Sequence, residues 1–268
     1  MISILIRNKN EALLLEKTLQ GISNQKNDVP HEVVMIDDNS IDNSLEVAHR
    51  FGCKIVLLDK KFSYGCALNF GLLHCKYDIV LMLSSHNILL SNDFFIKLEG
   101  YFSDQYVAGV RCTPVANIKQ VEQSLVKPII IDSENFDQNR DWSNLLIANC
   151  SAIRKSIALK IKFNEKIRSN EDKLWSLDVI KAGYSIVSNV QCYYLYNKKG
   201  HPAAEIRDAI SKYQIDGDIP LKFSKFCILF LKSFPWIIKI AFKKWLDNFI
   251  RICNLVQIKY KFKKHDYI

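Results

Sequence analysis

Short apolar runs that stop abruptly in polar clusters alternate along the first hundred residues with longer stretches in which apolar positions recur every three or four residues. The first run, Ile2 to Ile6, breaks into Arg7-Asn8-Lys9-Asn10-Glu11. The second, Val33-Val34-Met35-Ile36, breaks into Asp37-Asp38-Asn39-Ser40, and a later one, Ile79 to Leu83, breaks into Ser84-Ser85-His86-Asn87. These runs, with Lys54 to Leu58, are too short and too β-branched for helices and predict buried strands. Helices are predicted between them, at about Ala12 to Gln25, after the cap residues Ser40 to Ser44, and at about Ser63 to His74. Strands alternating with helices predict an α/β fold, a mostly parallel sheet with helices on both faces. Periodicity does not order the strands, but ligands in such sheets sit outside the carboxyl ends of the strands, where the three polar clusters converge.

The chain has 268 residues, 49% of them hydrophobic, enough for one large core or two modest ones. Its net charge of +9 lies entirely in residues 221–268, where eleven Lys or Arg meet only Asp247 and Asp266. This segment reads as a basic amphipathic helix kinked near Pro235 and suited to lying on an anionic membrane surface. The remainder is neutral, which argues against a nucleic-acid-binding body. Eight cysteines without a C-x-x-C pair, and a strand-like run directly after Met1, predict reduced core thiols and a cytoplasmic protein peripheral to the inner membrane face. Nine glycines contain neither a P-loop nor a G-x-G, so a nucleotide would be held in another way.

Taken together, Ser3 to Glu11 with Leu19-x-x-Ile22-x-x-Gln25, and Val34-x-Ile36-Asp37-Asp38-x-Ser40-x-Asp42, resemble the opening of the family 2 glycosyltransferases of GT-A, Rossmann-like fold. Tyr64-Gly65-x-Ala67-x-Asn69-x-Gly71 resembles the family's asparagine-bearing helix. Asn149 to Arg154, Phe163-Asn164-Glu165 and Asn170-Glu171-Asp172-x-x-Trp175 resemble its acceptor half. The match runs over roughly residues 2–195 and implies a nucleotide-sugar-binding half (1–112), an acceptor-binding half of the same domain (113–220) and the tail (221–268).

By this resemblance Asp38 accepts from a nucleobase N–H, Asp37 and Ser40 shape its turn, the backbone at Arg7 and Asn8 flanks the base, and Asn69 belongs to the donor side. On the residues alone, Asp37, Asp38 and Asp42 also suit simple helix capping. Where the family has Asp-x-Asp for a divalent cation and the donor diphosphate, this chain has Ser84-Ser85-His86, a Ser-x-His sub-type resembling rhamnosyltransferase-like members. His86 is then either a ligand for Mn²⁺ or Mg²⁺, the former better suited to imidazole, or a metal-independent cation facing the diphosphate. Cys66 stands where relatives carry a basic residue, a loss for which Arg7 or Lys9 would compensate. His201 suits either a late diphosphate ligand or an exposed loop.

On the acceptor side the resemblance assigns Asp172 as catalytic base, Glu171 to loop orientation or acceptor contact, Trp175 as a wall of the sugar site and Asn149 to acceptor binding. The implied activity is inverting transfer of a hexosyl or deoxyhexosyl group from a nucleotide-diphosphate sugar to a glycan or lipid-linked saccharide, in surface polysaccharide biosynthesis. The alternative is a non-catalytic GT-A-fold protein that binds nucleotide sugar or glycan.

Overall fold

The computed structural model describes residues 1–25, 29–117, 121, 127–137, 141–167 and 169–196. The basic tail and His201 therefore lie outside the described residues. Among the described residues no helix is long and apolar enough to cross a membrane.

The predicted alternation is present: β1 (Ile2–Asn8), α1 (Ala12–Ser23), β2 (His31–Asp37), α2 (Ser44–Arg50), β3 (Lys54–Leu57), α3 (Tyr64–His74) and β4 (Ile79–Ser84). Then follow β5 (Asn87–Leu89), α4 (Phe94–Gly100), β6 (Val107–Arg111), β7 (Thr113–Val115), β8 (Ile129–Ile131), β9 (Cys150–Arg154), α5 (Lys155–Ala158), α6 (Glu171–Lys181), β10 (Ser185–Ser188) and β11 (Tyr193–Tyr196). The main sheet has the order β3-β2-β1-β4-β9-β6-β10-β8, with β9 and β8 running against the other six strands. A small second sheet has the order β5-β11-β7.

The two faces of β1 explain the helices on both sides. Successive strand residues point to opposite faces. Ile2, Ile4 and Ile6 pack with Leu15, Leu19 and Ile22 of α1 in one buried core. Leu5 points to the other face and meets Gly71 of α3, where an added Cβ would lie 2.5 Å from Leu5 Cδ1. Helix α3 can approach this closely only because position 71 has no side chain. Its start is fixed by Ser63, whose Oγ accepts a hydrogen bond from Cys66 N.

The same alternation aims the polar residues at the strand tip. Arg7 follows Leu5 onto the α3 face and pairs in register with Ser84, whereas Asn8 follows Ile6 and pairs with Asp37. Strand β1 thus runs two residues beyond its apolar core, and Arg7 and Asn8 belong to the strand rather than to the following turn.

Candidate active site

Three turns meet at the carboxyl ends of β1, β2 and β4. In the first pair, Asp37 is fully buried and accepts hydrogen bonds from Asn8 Nδ2 (3.0 Å), Ser40 N (2.7 Å) and Ser40 Oγ (2.6 Å). Asn10 and Asn39 take left-handed backbone conformations, at φ of 53° and 54°, which asparagine tolerates better than most residues. The turns then interlock: Asn10 N donates to Ser40 Oγ, Ile41 N to Asn10 Oδ1, and Ala12 N to Asp42 Oδ2. Asp42 also accepts from Ser44 N and Oγ; these bonds outweigh its slight burial and lower its pKa. The capping reading therefore describes Asp42. Asp37 is a turn-builder whose carboxylate is already engaged, and Asp38 remains half-buried with its Oδ2 2.6 Å from Lys9 Nζ. Lys9 and Asp38 together offer a cationic donor beside an anionic acceptor, a pattern that complements the adjacent acceptor and donor on a nucleobase edge.

The second meeting is between the β4 tip and the start of α1. Glu11 Oε2 accepts from Ser85 Oγ at 2.6 Å and lies 2.8 Å from His86 Nδ1. The His86 ring also packs edge-on against Tyr196, with centroids 5.4 Å apart. Ser84 is tied to the far side of the sheet, its N donating to Asn149 O (2.8 Å) and its Oγ to Asn149 Oδ1 (3.3 Å). Asn87 Nδ2 donates to the same carbonyl at 2.7 Å. Asn149 therefore buttresses the donor-side turn, in place of the acceptor contact the resemblance implied.

The third meeting joins β1 to α6. Arg7 Nη2 donates to Ala148 O (3.1 Å), Nη1 lies 3.5 Å from Glu171 Oε1, and the guanidinium stacks 5.1 Å from the Tyr64 ring centroid. The Arg7 side chain thus ties the end of β1 to the start of α6, while its backbone stays beside Asn8 at the strand tip. Glu171 is 4% exposed; burial pushes its carboxyl up to about 7, Asp172 adds to the rise, and Arg7 opposes it. Asp172 is half-buried, with Oδ2 accepting from Ala148 N (2.6 Å) and Oδ1 from Lys173 N (2.7 Å). The buried Lys173 Nζ donates to Trp142 O and Leu145 O, anchoring the segment that presents Ala148. Arg111, at the end of β6, lies within electrostatic reach of Asp172; burial lowers its pKa, and its buried Nε has no hydrogen-bond partner among the described residues.

Two sequence-based assignments fall elsewhere. Trp175 is 1% exposed, stacks on Phe163 with centroids 5.3 Å apart, and donates from Nε1 to Ile161 O at 2.6 Å. It is core, because the face of α6 three residues beyond Asp172 turns inward, and it cannot wall a sugar. Asn69 spends its amide on the 163–165 segment, donating to Phe163 O and Glu165 Oε1 and accepting from Phe163 N. Its role is to lock α3 to the acceptor half. Conversely, Glu11, Ser85, Lys173 and Arg111 were given no role by the sequence. Glu11 stands inside the opening motif, so its proximity to the β4 tip was the available signal, whereas nothing marked Arg111 as a strand end.

The described cysteines, Cys53, Cys66, Cys75, Cys112, Cys150 and Cys192, are free and, apart from the half-buried Cys53, buried. Burial pushes Cys75 up to about 12, which suits an inert core thiol. Among the described residues no group of three His, Cys, Asp or Glu side chains is placed to hold a metal ion. At the β4 tip His86 is the single nitrogen ligand on offer, with its neighbouring carboxylate already bonded to it, so these residues do not fit a metal cage supplied by the protein. A groove of about 760 Å³ between α1 and α2 is lined by Asn10 to Leu14, Glu16, Asp42, Asn43, Glu46, Val47 and Arg50, and the tip residues Arg7, Asp38, Ser84 and His86 lie outside it.

Comparison with known proteins agrees with this geometry. The chain is 37% identical over 87 residues to the chondroitin synthase of Pasteurella multocida, a match spanning 31% of this chain and 9% of that protein. It is 35% identical over 97 residues to the UDP-Gal:α-D-GlcNAc-diphosphoundecaprenol β-1,3-galactosyltransferase of Escherichia coli, spanning 34% of each. The matches thus cover 9% and 34% of the curated relatives. Among solved structures, a mannosyltransferase from Pyrobaculum calidifontis in complex with GDP-Man and Mn²⁺ superposes with a TM-score of 0.63 at 19% identity, covering 80% of this chain and 62% of that one. This likeness shows the GT-A fold. The model of the family described as Glycosyl transferase family 2 matches residues 3–161, more than half of the chain, and the protein belongs to that family.

Proposed function

We propose that this protein is an inverting glycosyltransferase that moves a hexosyl or deoxyhexosyl group from a nucleotide-diphosphate sugar to a glycan or lipid-linked saccharide in surface polysaccharide assembly. The observation that carries this reading is Arg7. Its bonds to Ala148 and Glu171 draw the tip of β1, where Asp38 and Lys9 await a nucleobase, against the start of α6, where Asp172 stands. A donor-binding edge and a candidate base therefore share one site.

In the reaction, Asp38 and Lys9 hold the base, and Ser84 and His86 face the diphosphate. The acceptor hydroxyl gives its proton to an Asp172 oxygen as its own oxygen bonds to the anomeric carbon, and the nucleoside diphosphate leaves from the opposite face with the bonding pair. Each Asp172 oxygen keeps a free lone pair beyond the bond it accepts from Ala148 N or Lys173 N, so the carboxylate is oriented and still able to take a proton. Asp172 is preferred to Glu171 on access, since Glu171 is buried against Arg7. Cationic and hydrogen-bonding groups aimed at the leaving diphosphate supply the electrostatic part of the acceleration. A divalent cation of the Mn²⁺ or Mg²⁺ type belongs to this proposal as a variable of the assay. The basic segment 221–268 is proposed to hold the protein on the inner, anionic membrane face, each exposed Lys contributing about 1 kcal/mol.

The test is turnover of UDP-, GDP-, dTDP- and CMP-sugars with saccharide acceptors, in Mg²⁺, Mn²⁺ or EDTA, beside Asp172→Asn. One donor should turn over with inverted anomeric configuration, and Asp172→Asn should lose transfer while keeping nucleotide binding. Retention of configuration would refute direct displacement. Saturable nucleotide binding without turnover on any acceptor would support the non-catalytic reading instead.

A further inference from the structure

The carboxylates absent from the β4 tip have a counterpart on another element. Helix α1 begins after Glu11, whose side chain makes no capping bond to its own helix. That carboxylate instead reaches across to the β4–β5 turn, where Oε2 accepts from Ser85 Oγ at 2.6 Å and sits 2.8 Å from His86 Nδ1. Side-chain exposures of 15% for Glu11 and 13% for His86 place the contact in a largely dehydrated setting, where a hydrogen bond to a carboxylate is shorter and stronger than one between neutral groups. The turn itself is rigid: Thr18 Oγ1 donates to Ser85 O, and Asn149 grips Ser84 and Asn87 on either side.

A carboxylate at Nδ1 has one chemical consequence for a histidine. An ionised carboxylate only accepts, so Nδ1 must carry the proton, and in the neutral ring Nε2 is then left with its lone pair. The edge-on contact with Tyr196 fixes the plane of the ring. No hydrogen bond from any described residue engages Nε2. We infer that Glu11 is a positioning residue: by accepting from Nδ1–H it fixes the ring with Nε2 left for the donor diphosphate, and when the diphosphate binds and a second proton joins the ring, Nε2–H donates to a phosphate oxygen while the Glu11 carboxylate balances the imidazolium charge. The inference rests on the proposed donor site, and its test separates the two.

The tautomer of His86 is read without any ligand, by long-range ¹H–¹⁵N correlation of the full chain at a pH where the ring is neutral, with His86→Ala assigning the signal. Wild-type His86 should carry its proton on Nδ1. Glu11→Ala should move it toward the Nε2–H form that free imidazole side chains prefer, whereas Glu11→Gln, whose amide oxygen still accepts, should restore the wild-type pattern. A wild-type Nε2 proton, or an unchanged pattern in Glu11→Ala, would overturn the inference. In parallel, binding of UDP, GDP, dTDP and CDP and of the matching monophosphates is measured by calorimetry in EDTA. For the nucleotide that binds, Glu11→Ala should weaken the diphosphate about tenfold, the scale of one hydrogen bond to a charged group, and the monophosphate less than about twofold. The loss should match that of His86→Ala, and the double variant should lose no more than either alone. Equal losses for mono- and diphosphate, or additive losses, would refute it. Should no nucleotide bind the wild type, the proposed function fails, and the tautomer measurement still decides the role of Glu11. Ser85→Ala, which spares the Glu11–His86 contact, keeps the wild-type tautomer and controls for general damage to the turn.

Discussion

Glu171 should make the stability of this protein fall as pH rises through the weakly acidic range, and removing its charge should abolish that fall. Its carboxyl, ordinarily at 4.5, is raised to about 7 by burial and by Asp172 beside it. Unfolding exposes the group, which then releases its proton at its ordinary value. Between about 4.5 and 7 the folded state therefore binds more protons than the unfolded state, and each increment of pH favours unfolding. The full difference amounts to about 3 kcal/mol, present as lost stability above pH 7 and absent below about pH 4.5. Glu171→Gln has nearly the shape of the protonated acid and keeps an oxygen for Arg7. It should match the wild type at pH 5 and exceed it at pH 8 by an amount approaching that figure, at roughly 2–4 °C of melting temperature per kcal/mol. Groups away from the site contribute equally to both proteins, so the difference between their urea midpoints at the two pH values reports Glu171 together with its coupling to Asp172. The reasoning is refuted if Glu171→Gln is less stable than the wild type at pH 8, or if the difference is the same at pH 5 and pH 8.

The two aspartates of the second turn should separate cleanly. Asp37→Ala strips three hydrogen bonds, one from the buried Asn8 and two from the half-buried Ser40, and should cost about 3 kcal/mol in chemical denaturation, at about 1 kcal/mol for each. Asp38→Ala loses only a pair with the exposed Lys9, should cost less than about 1 kcal/mol, and should abolish nucleoside binding by calorimetry. Gly65→Ala would place its Cβ 2.4 Å from Asn164 O, a backbone atom that cannot rotate away, so about 1–3 kcal/mol should be lost, visible as a lower melting temperature. Trp175→Phe should lower stability by about 1–3 kcal/mol through the lost bond to Ile161 O, while the KM for acceptor stays within twofold; a large KM change would restore the tryptophan to the sugar site.

How much of this was legible in the sequence depended on whether a contact is local. The strands β1 to β4 and the helices between them follow from runs and spacings that a window of ten residues contains. The Asp37–Ser40 turn is likewise local, its bonds spanning three residues. Trp175 was misplaced because spacing along α6 tells which residues share a face, whereas only tertiary packing tells whether that face meets Phe163 or solvent. The bonds of Asn149 to Ser84 were not legible because β9 runs antiparallel beside β4, and residues 65 apart are brought together by a pairing that no periodicity announces. Arg111 escaped notice for the same reason: its interest lies in Asp172, which belongs to another element entirely.

The segment Arg7 to Glu11 explains how the strand tips are tied together. Alternation along the end of β1 sends Arg7 and Asn8 to opposite faces, and the turn beyond adds two more directions. Arg7 reaches Ala148 and Glu171, Asn8 reaches Asp37 and Ser40, Lys9 reaches Asp38, and Glu11 reaches Ser85 and His86. These four residues therefore touch the turn after β2, the turn after β4 and the start of α6. A strand end can do this because β1 is central in the sheet, flanked by β2 on one side and β4 on the other, so every strand tip that matters is one interstrand spacing away. A carboxylate reaches the β4 tip most directly from the turn after β1, which is where Glu11 stands.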